Sequence, residues 1–294
     1  MFISAIERAT EFTRPVHSII RLYGGKHIIP GSATLFFVNE NGYAVTCKHV
    51  AELLAASDGI NQRYAAFREE RKKLPLDNKQ ATQLKGLELK YQYKPDTSIQ
   101  IRNNFIDCID NITGITWHMH PTLDLAIIHF QGFSQIHYRN WAVFGKDLSP
   151  IKQGKFLCRL GYPFPEFNNF RFNPETDDME WTAEGTQRSP QFPIEGMVTR
   201  FLADNNQMYG IELSTPGLRG QSGGPLFDER GIVYGMQFST KHLHLGFDLV
   251  DKEILVNNQP KKISDYSFLH LGQCIHSEAI KAFLHEHGVK YYEE

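Results

Sequence analysis

The sequence predicts an all-β fold with helical insertions, and three kinds of segment carry that reading. Gly42 to Cys47 and Leu123 to Ile128 are short runs of strand length, rich in apolar β-formers. Gly220, Gly223 and Gly224 make a tight loop that feeds the apolar stretch Pro225-Leu226-Phe227. From Arg63 to Lys73 the pattern changes to charged residues with Tyr64, Phe67 and Leu74 near helical spacing, which reads as a surface helix. With 294 residues and 41% hydrophobic side chains, the chain is long enough for one or two domains with filled cores.

Along the chain, residues 1–27 read as a separate N-terminal segment with a short helix. Met1 to Arg8 lacks a basic stretch followed by a long apolar core, and no run approaches the ~18 apolar residues of a membrane span. The expected setting is cytoplasmic, with no membrane partner. A net charge of −2 from 31 basic and 33 acidic side chains excludes a general polyanion-binding field, so no nucleic acid is expected either. Arg71-Lys72-Lys73 directly follows Glu69-Glu70, which makes this basic block a solvated helix face. The four cysteines, Cys47, Cys108, Cys158 and Cys274, lack metal-type spacing and are expected to be buried free thiols. No metal or cofactor is expected.

The glycine loop encloses Ser222. Glycines there let the chain turn sharply and aim the amides of Gly220 and Ser222 at one point, where they stabilise an oxyanion. A serine hydroxyl is a weak nucleophile and needs a base with an orienting acid. Among 13 histidines, His49 stands out, because it ends the run from Gly42 to Lys48 and precedes a helical turn over Val50-Ala51-Glu52-Leu53-Leu54. His242 and His244 alternate along a strand, and His118 and His120 equally suggest metal. Asp124 opens an apolar run, where a carboxylate is costly to bury without a partner. Taken singly, the loop also serves as a Gly-rich hairpin and Asp124 as a turn cap. The chain order His49, Asp124, Ser222 favours catalysis.

That order and its local sequences resemble the trypsin-like, chymotrypsin-fold serine peptidases, and more narrowly the HtrA/Deg-like branch without PDZ domains. Gly31-Ser32-Ala33-Thr34-Leu35-Phe36-Phe37-Val38, with Gly42 to Val50, is similar to the family's opening strands and Thr-x-x-His-Val motif. Leu123-Asp124-Leu125-Ala126, Leu160-Gly161-Tyr162-Pro163-Phe164 and Gly196-Met197-Val198-Thr199 resemble later motifs, and Ile275 to Leu284 resembles the terminal strand and helix. The resemblance implies two packed six-stranded β-barrels with a C-terminal helix. The first would span 28–150 with a helical insertion at about 55–98, and the second 151–294. It implies a serine endopeptidase of bacterial type acting on protein or peptide, with His49 as general base, Asp124 orienting it and Ser222 as nucleophile. A latent protease-like binding or sensor module, and an esterase using the same triad, remain as alternatives.

Departures from the family pattern raise further expectations. Residues 55–98 read as a helical hairpin broken at Pro75 and resuming from Lys79 to Tyr91, while Pro163 to Pro193 is irregular. Gln221 stands where pancreatic-type relatives carry the carboxylate that receives a newly freed amine. Control by loop ordering or by an activating protein partner is therefore expected. Pro216 sits near the base of the primary pocket and disfavours a basic residue before the scissile bond. Leu218, Met236 and Phe238 would add apolar lining there, with Arg219 on the loop itself.

Overall fold

The computed structural model describes residues 2–75, 80–205 and 207–294. A short helix α1 (Ile3–Phe12) leads directly into β1 (Thr13–Leu22), which pairs antiparallel with β2 (Ile28–Phe37) in register Thr13↔Phe36 through Arg21↔Ile28. A hairpin then gives β3 (Tyr43–Thr46), and the chain turns at Cys47 into α2 (Lys48–Lys72). After α3 (Gln80–Tyr91) come β4 (Ser98–Phe105), β5 (Ile109–Asp110), β6 (Gly114–Met119), β7 (Ala126–Gln131) and β8 (Gln135–Ile136). The first sheet has the order β4-β1-β2-β3-β7-β6, and α2 packs against both of its end strands.

The expected boundary at residue 27 therefore falls inside the first barrel. β1 escapes detection in sequence because Arg14, His17, Ser18 and Arg21 interrupt its apolar residues, yet all four are buried. Arg14 donates to the carbonyls of Thr10, Asp107 and His137, and Arg21 pairs with Asp177 at 2.7 Å. Apart from Thr10 these partners lie far along the chain, so a hydrophobic pattern cannot reveal the strand.

The second half builds a closed ring. After β9 (Val143–Phe144) follow β10 (Phe156–Gly161), a hairpin β11 (Phe170–Asn173) and β12 (Asp178–Trp181), then β13 (Phe192–Asp204) and β14 (Gln207–Leu213). The chain continues through β15 (Pro225–Phe227), β16 (Val233–His244), the outlying hairpin β17 (Leu249–Val256) and β18 (Gln259–Asp265), then β19 (Phe268–His276). It ends in α4 (Ser277–Glu286) and β20 (Tyr292–Glu293). The sheet runs β15-β10-β13-β14-β19-β16, and β15 pairs with β16 as well as β10, which closes six strands on themselves. β9 and β20 extend this sheet beside β16.

One core joins the two barrels and α4, including Phe36, Val45, Ile127, Leu160, Phe227 and Phe283. Their burial, at about 1.5–3 kcal/mol per large side chain, fixes the loops between the barrels relative to one another. The helical hairpin is present: α2 and α3 pack through Tyr64, Phe67 and Leu87, with Tyr93 beyond. Its first arm is α2, so the insertion is continuous with the strand-to-helix turn that carries His49. Lys79, where the second arm was expected to begin, lies outside the described residues. The stretch 163–193 is more ordered than its composition suggests, because β11 and β12 pair from Phe170↔Trp181 to Asn173↔Asp178. Among the described residues no helix is long and apolar enough to cross a membrane, and all four cysteines are buried free thiols.

Candidate active site

Strand register brings His49 and Asp124 together. β3 pairs antiparallel with β7 at Thr46↔Ala126, so the residues just after β3 and just before β7 leave the sheet at the same end. Asp124 then makes two contacts with one residue. Its Oδ1 accepts the backbone N–H of His49 at 3.0 Å, and its Oδ2 lies 2.7 Å from His49 Nδ1. The first contact satisfies one of the orphan donors at the start of α2; the second fixes the imidazole. Burial alone would raise the Asp124 carboxyl's pKa, but the hydrogen bonds from the His49 ring and backbone outweigh it and hold the group below its usual range.

The turn carrying Asp124 is itself anchored. His120 Nδ1 accepts the amides of Thr122 at 3.2 Å and Leu123 at 2.9 Å, while Lys48 donates from Nζ to the His120 carbonyl at 3.0 Å. His118 instead packs against the His287 ring in a tilted contact, with centroids 4.1 Å apart. Their roles here are a turn and a packed ring, not shared ligation.

Ser222 reaches the same site from the second barrel. Gly220 and Gly223 have φ of +92° and +88°, and a Cβ would approach the Tyr162 carbonyl to 2.5 Å at the first and the Thr34 carbonyl to 2.0 Å at the second. Only glycine fits these turns. Thr34 stitches the loop to the first barrel: its N–H donates to Ser222 O at 3.0 Å, and its Oγ1 donates to Gly220 O at 2.7 Å while accepting Tyr162 N–H. The Gln221 carbonyl accepts Gly224 N–H at 2.8 Å, so the Ser222 N–H on the same trans peptide points the opposite way. Among the described residues neither Gly220 N–H nor Ser222 N–H has a protein acceptor, whereas the amides of Gln221, Gly223 and Gly224 do.

Gln221 is fully buried and grips its own loop. Its Oε1 accepts Leu218 N–H at 3.1 Å and its Nε2 donates to Phe192 O at 3.0 Å. Sequence reasoning took Gln221 only as a missing carboxylate, and read Thr34 as one position in a strand. A long polar residue beside the serine was the signal for the first; nothing local marked the second.

His49, Gly220 and Ser222 line one cavity of about 260 Å³. The predicted pocket residues Pro216, Leu218, Met236 and Phe238 do not. Met236 is fully buried in the inter-barrel core, and Phe238 packs partly against that core. Strand alternation is the reason: with Met236 facing inward, Gln237 faces the 215–217 segment. Pro216 and Leu218 are half-buried on the loop.

A family model of the trypsin-like peptidase domain matches residues 33–236, a span holding His49, Asp124 and Ser222. The chain belongs to that family. The protein is a serine endopeptidase, with the expected all-β, two-barrel architecture and C-terminal helix. Similar solved structures include the Rv3671c protease from M. tuberculosis in its active form, at 13% identity and a TM-score of 0.49, covering 98% of the protease and 86% of that chain. Another is the HtrA-type protease AlgW with a decapeptide, at 12% identity and a TM-score of 0.49, covering 98% and 69%. No curated protein matches.

Proposed function

We propose that the protease hydrolyses peptide bonds in protein or peptide substrates by acyl transfer to Ser222. His49 Nε2 takes the hydroxyl proton as Ser222 Oγ attacks the carbonyl carbon, and the His49 imidazolium then gives that proton to the leaving amine. Water, activated by the same nitrogen, releases the acyl group and restores the serine. Asp124 keeps the Nδ1 proton in place and stabilises the imidazolium. The amides of Gly220 and Ser222 bind the oxyanion, at about 3–4 kcal/mol for one such donor. The observation that carries this reading is the two-point grip of Asp124 on His49 at a cavity that Ser222 also lines. With Nδ1 held by the carboxylate, Nε2 is the nitrogen left to face the serine.

Regulation belongs to the same proposal. The tip of the β11–β12 hairpin reaches the helix that carries His49. Asp177 accepts from Arg21 and from Tyr64 of α2, both at 2.7 Å, and Arg68 of α2 donates to the Thr176 and Asp177 carbonyls. A protein partner that orders or displaces this hairpin therefore acts on the helix beginning at the catalytic base. A reducing, cytoplasmic setting is supported by the four free cysteines.

Labelling with a fluorophosphonate probe and peptide-library cleavage test the assignment together. Wild-type protein should label and cut, and Ser222→Ala should do neither. Labelling that persists in Ser222→Ala would remove Ser222 as the nucleophile.

A further inference from the structure

The substrate side chains on the two sides of the scissile bond meet very different walls. In this fold the acyl side of the substrate lies against the segment before the nucleophile and the strand after it. That space is filled by the protein's own polar groups. Arg159 is fully buried and donates from Nη1 to Gln237 Oε1 at 2.7 Å and from Nη2 to Thr215 Oγ1 at 2.6 Å. Gln237 is 2% exposed and donates from Nε2 to Ser239 O at 2.6 Å. Thr240 Oγ1 then ties the strand to Gly217 O at 2.7 Å, and a Cβ on Gly217 would lie 2.2 Å from Gln237 Nε2. Arg159, Thr215, Gly217 and Gln237 are thus packed against one another, and a large side chain would have to displace them.

The 260 Å³ cavity opens on the other side of Ser222, against the first barrel and α2. Beyond the catalytic groups its walls are Val16, Ile20, Ala33, Val50, Leu53 and Leu54. Two hydroxyls also line it, and both are already engaged: Ser18 Oγ donates to Asn103 Oδ1 at 2.8 Å and Ser32 Oγ donates to Tyr162 O at 2.5 Å. Arg219, exposed on the serine loop, also lines the cavity; apart from that side chain the wall presents aliphatic surface to whatever enters. His49 lies on this side, as expected for the group that protonates the departing amine.

Resting on the reading of Ser222, His49 and Asp124 as the catalytic set, we propose that the protease selects its substrates chiefly by an apolar side chain on the leaving-group side. The aliphatic cavity takes the first or second residue after the scissile bond, as Leu, Ile, Val, Met or Phe. The residue before the bond is kept small by the Arg159–Gln237–Thr240 lattice. Leu53 is the specificity-determining residue most open to change, since it is 38% exposed at the rim of the cavity.

Mass-spectrometric profiling of a peptide library, followed by kcat/KM for matched peptides with Leu or Gly on the leaving-group side, tests this. The wild type should prefer Leu over Gly by on the order of 10- to 100-fold. Leu53→Asp should lower that ratio at least about tenfold and raise cleavage of peptides bearing Lys or Arg there, whereas Leu53→Met should keep the wild-type profile. Cleavage with no preference after the bond, or with a dominant large residue before it, overturns this inference and leaves the endopeptidase assignment standing. Peptides left whole by a protein that also fails to label overturn both. Labelled protein that leaves every peptide whole points to an esterase and equally removes both.

Discussion

Replacing Gln221 by Leu removes both side-chain hydrogen bonds of Gln221 while keeping side-chain volume. Gln221 is fully buried, so the change strands Leu218 N–H and Phe192 O away from water. Each stranded group costs about 1–3 kcal/mol, which gives a stability loss of about 2–6 kcal/mol if the loop stays in place. The chain relieves that cost by letting Leu218 to Gly220 shift toward solvent, and Gly220 carries one of the two free amides. Losing one oxyanion donor costs about 2.7–4 kcal/mol in the transition state, or 10²–10³ in kcat. KM should change little, because the oxyanion forms only after binding. The assay is kcat and KM on a short peptide ester, with the fluorophosphonate labelling rate and Tm measured on the same protein. A Gln221→Leu variant with kcat within about twofold of wild type, despite a lowered Tm, would show that the loop does not depend on Gln221 for its catalytic shape.

Asp124→Asn should lower kcat by about 10⁴ through the wrong imidazole tautomer, yet leave Tm nearly unchanged, because the amide oxygen still accepts His49 N–H; a large Tm loss would assign Asp124 mainly to structure. Asp177→Ala leaves Arg21, whose side chain is 3% exposed, without its carboxylate, and a buried unpaired charge costs about 3–5 kcal/mol. Hydrogen exchange along the second half of α2 should quicken with kcat falling alongside; exchange confined to the β11–β12 hairpin would break the proposed coupling. Burial lowers His17 and His276 to about 4 from an ordinary 6.5, so the unfolded chain takes up their protons first as pH falls. Their contribution is fully present above pH 6.5 and is lost between 6.5 and about 4, on the order of 3 kcal/mol each. His276 Nδ1 also caps α4 by accepting Glu278 N–H, so His276→Asn should keep the cap and flatten part of the Tm loss between pH 6.5 and 4; an unchanged pH profile would remove His276 as a source.

Much of the candidate site was legible because its residues lie in short stretches with strong local constraints. A serine loop must turn where a Cβ cannot fit, so Gly220 and Gly223 declare themselves, and His49 follows a run whose β pattern is plain. Segments held by distant polar partners were not legible. β1 reads as polar until Arg14 finds the Asp107 and His137 carbonyls and Arg21 finds Asp177. Met236 and Phe238 show a related limit: both look like apolar lining in sequence, but strand register turns Met236 into the core and leaves Gln237 facing Arg159.

The sequence by itself pointed to serine-peptidase chemistry, through His49, Asp124 and Ser222 in order and the glycines of the serine loop, and to a mainly β fold through short apolar strands, while the two-barrel plan followed from the family resemblance. Tertiary structure alone decided how those parts are held. Thr34 ties the barrels at the serine loop, Gln221 supplies the internal grip, and the β11–β12 hairpin clasps the helix of His49. It also decided that the cavity beside Ser222 opens against the first barrel and α2. Backbone conformation is written locally in glycine and β-formers, whereas hydrogen-bond partners and free volume arise only when segments far apart in sequence are packed together.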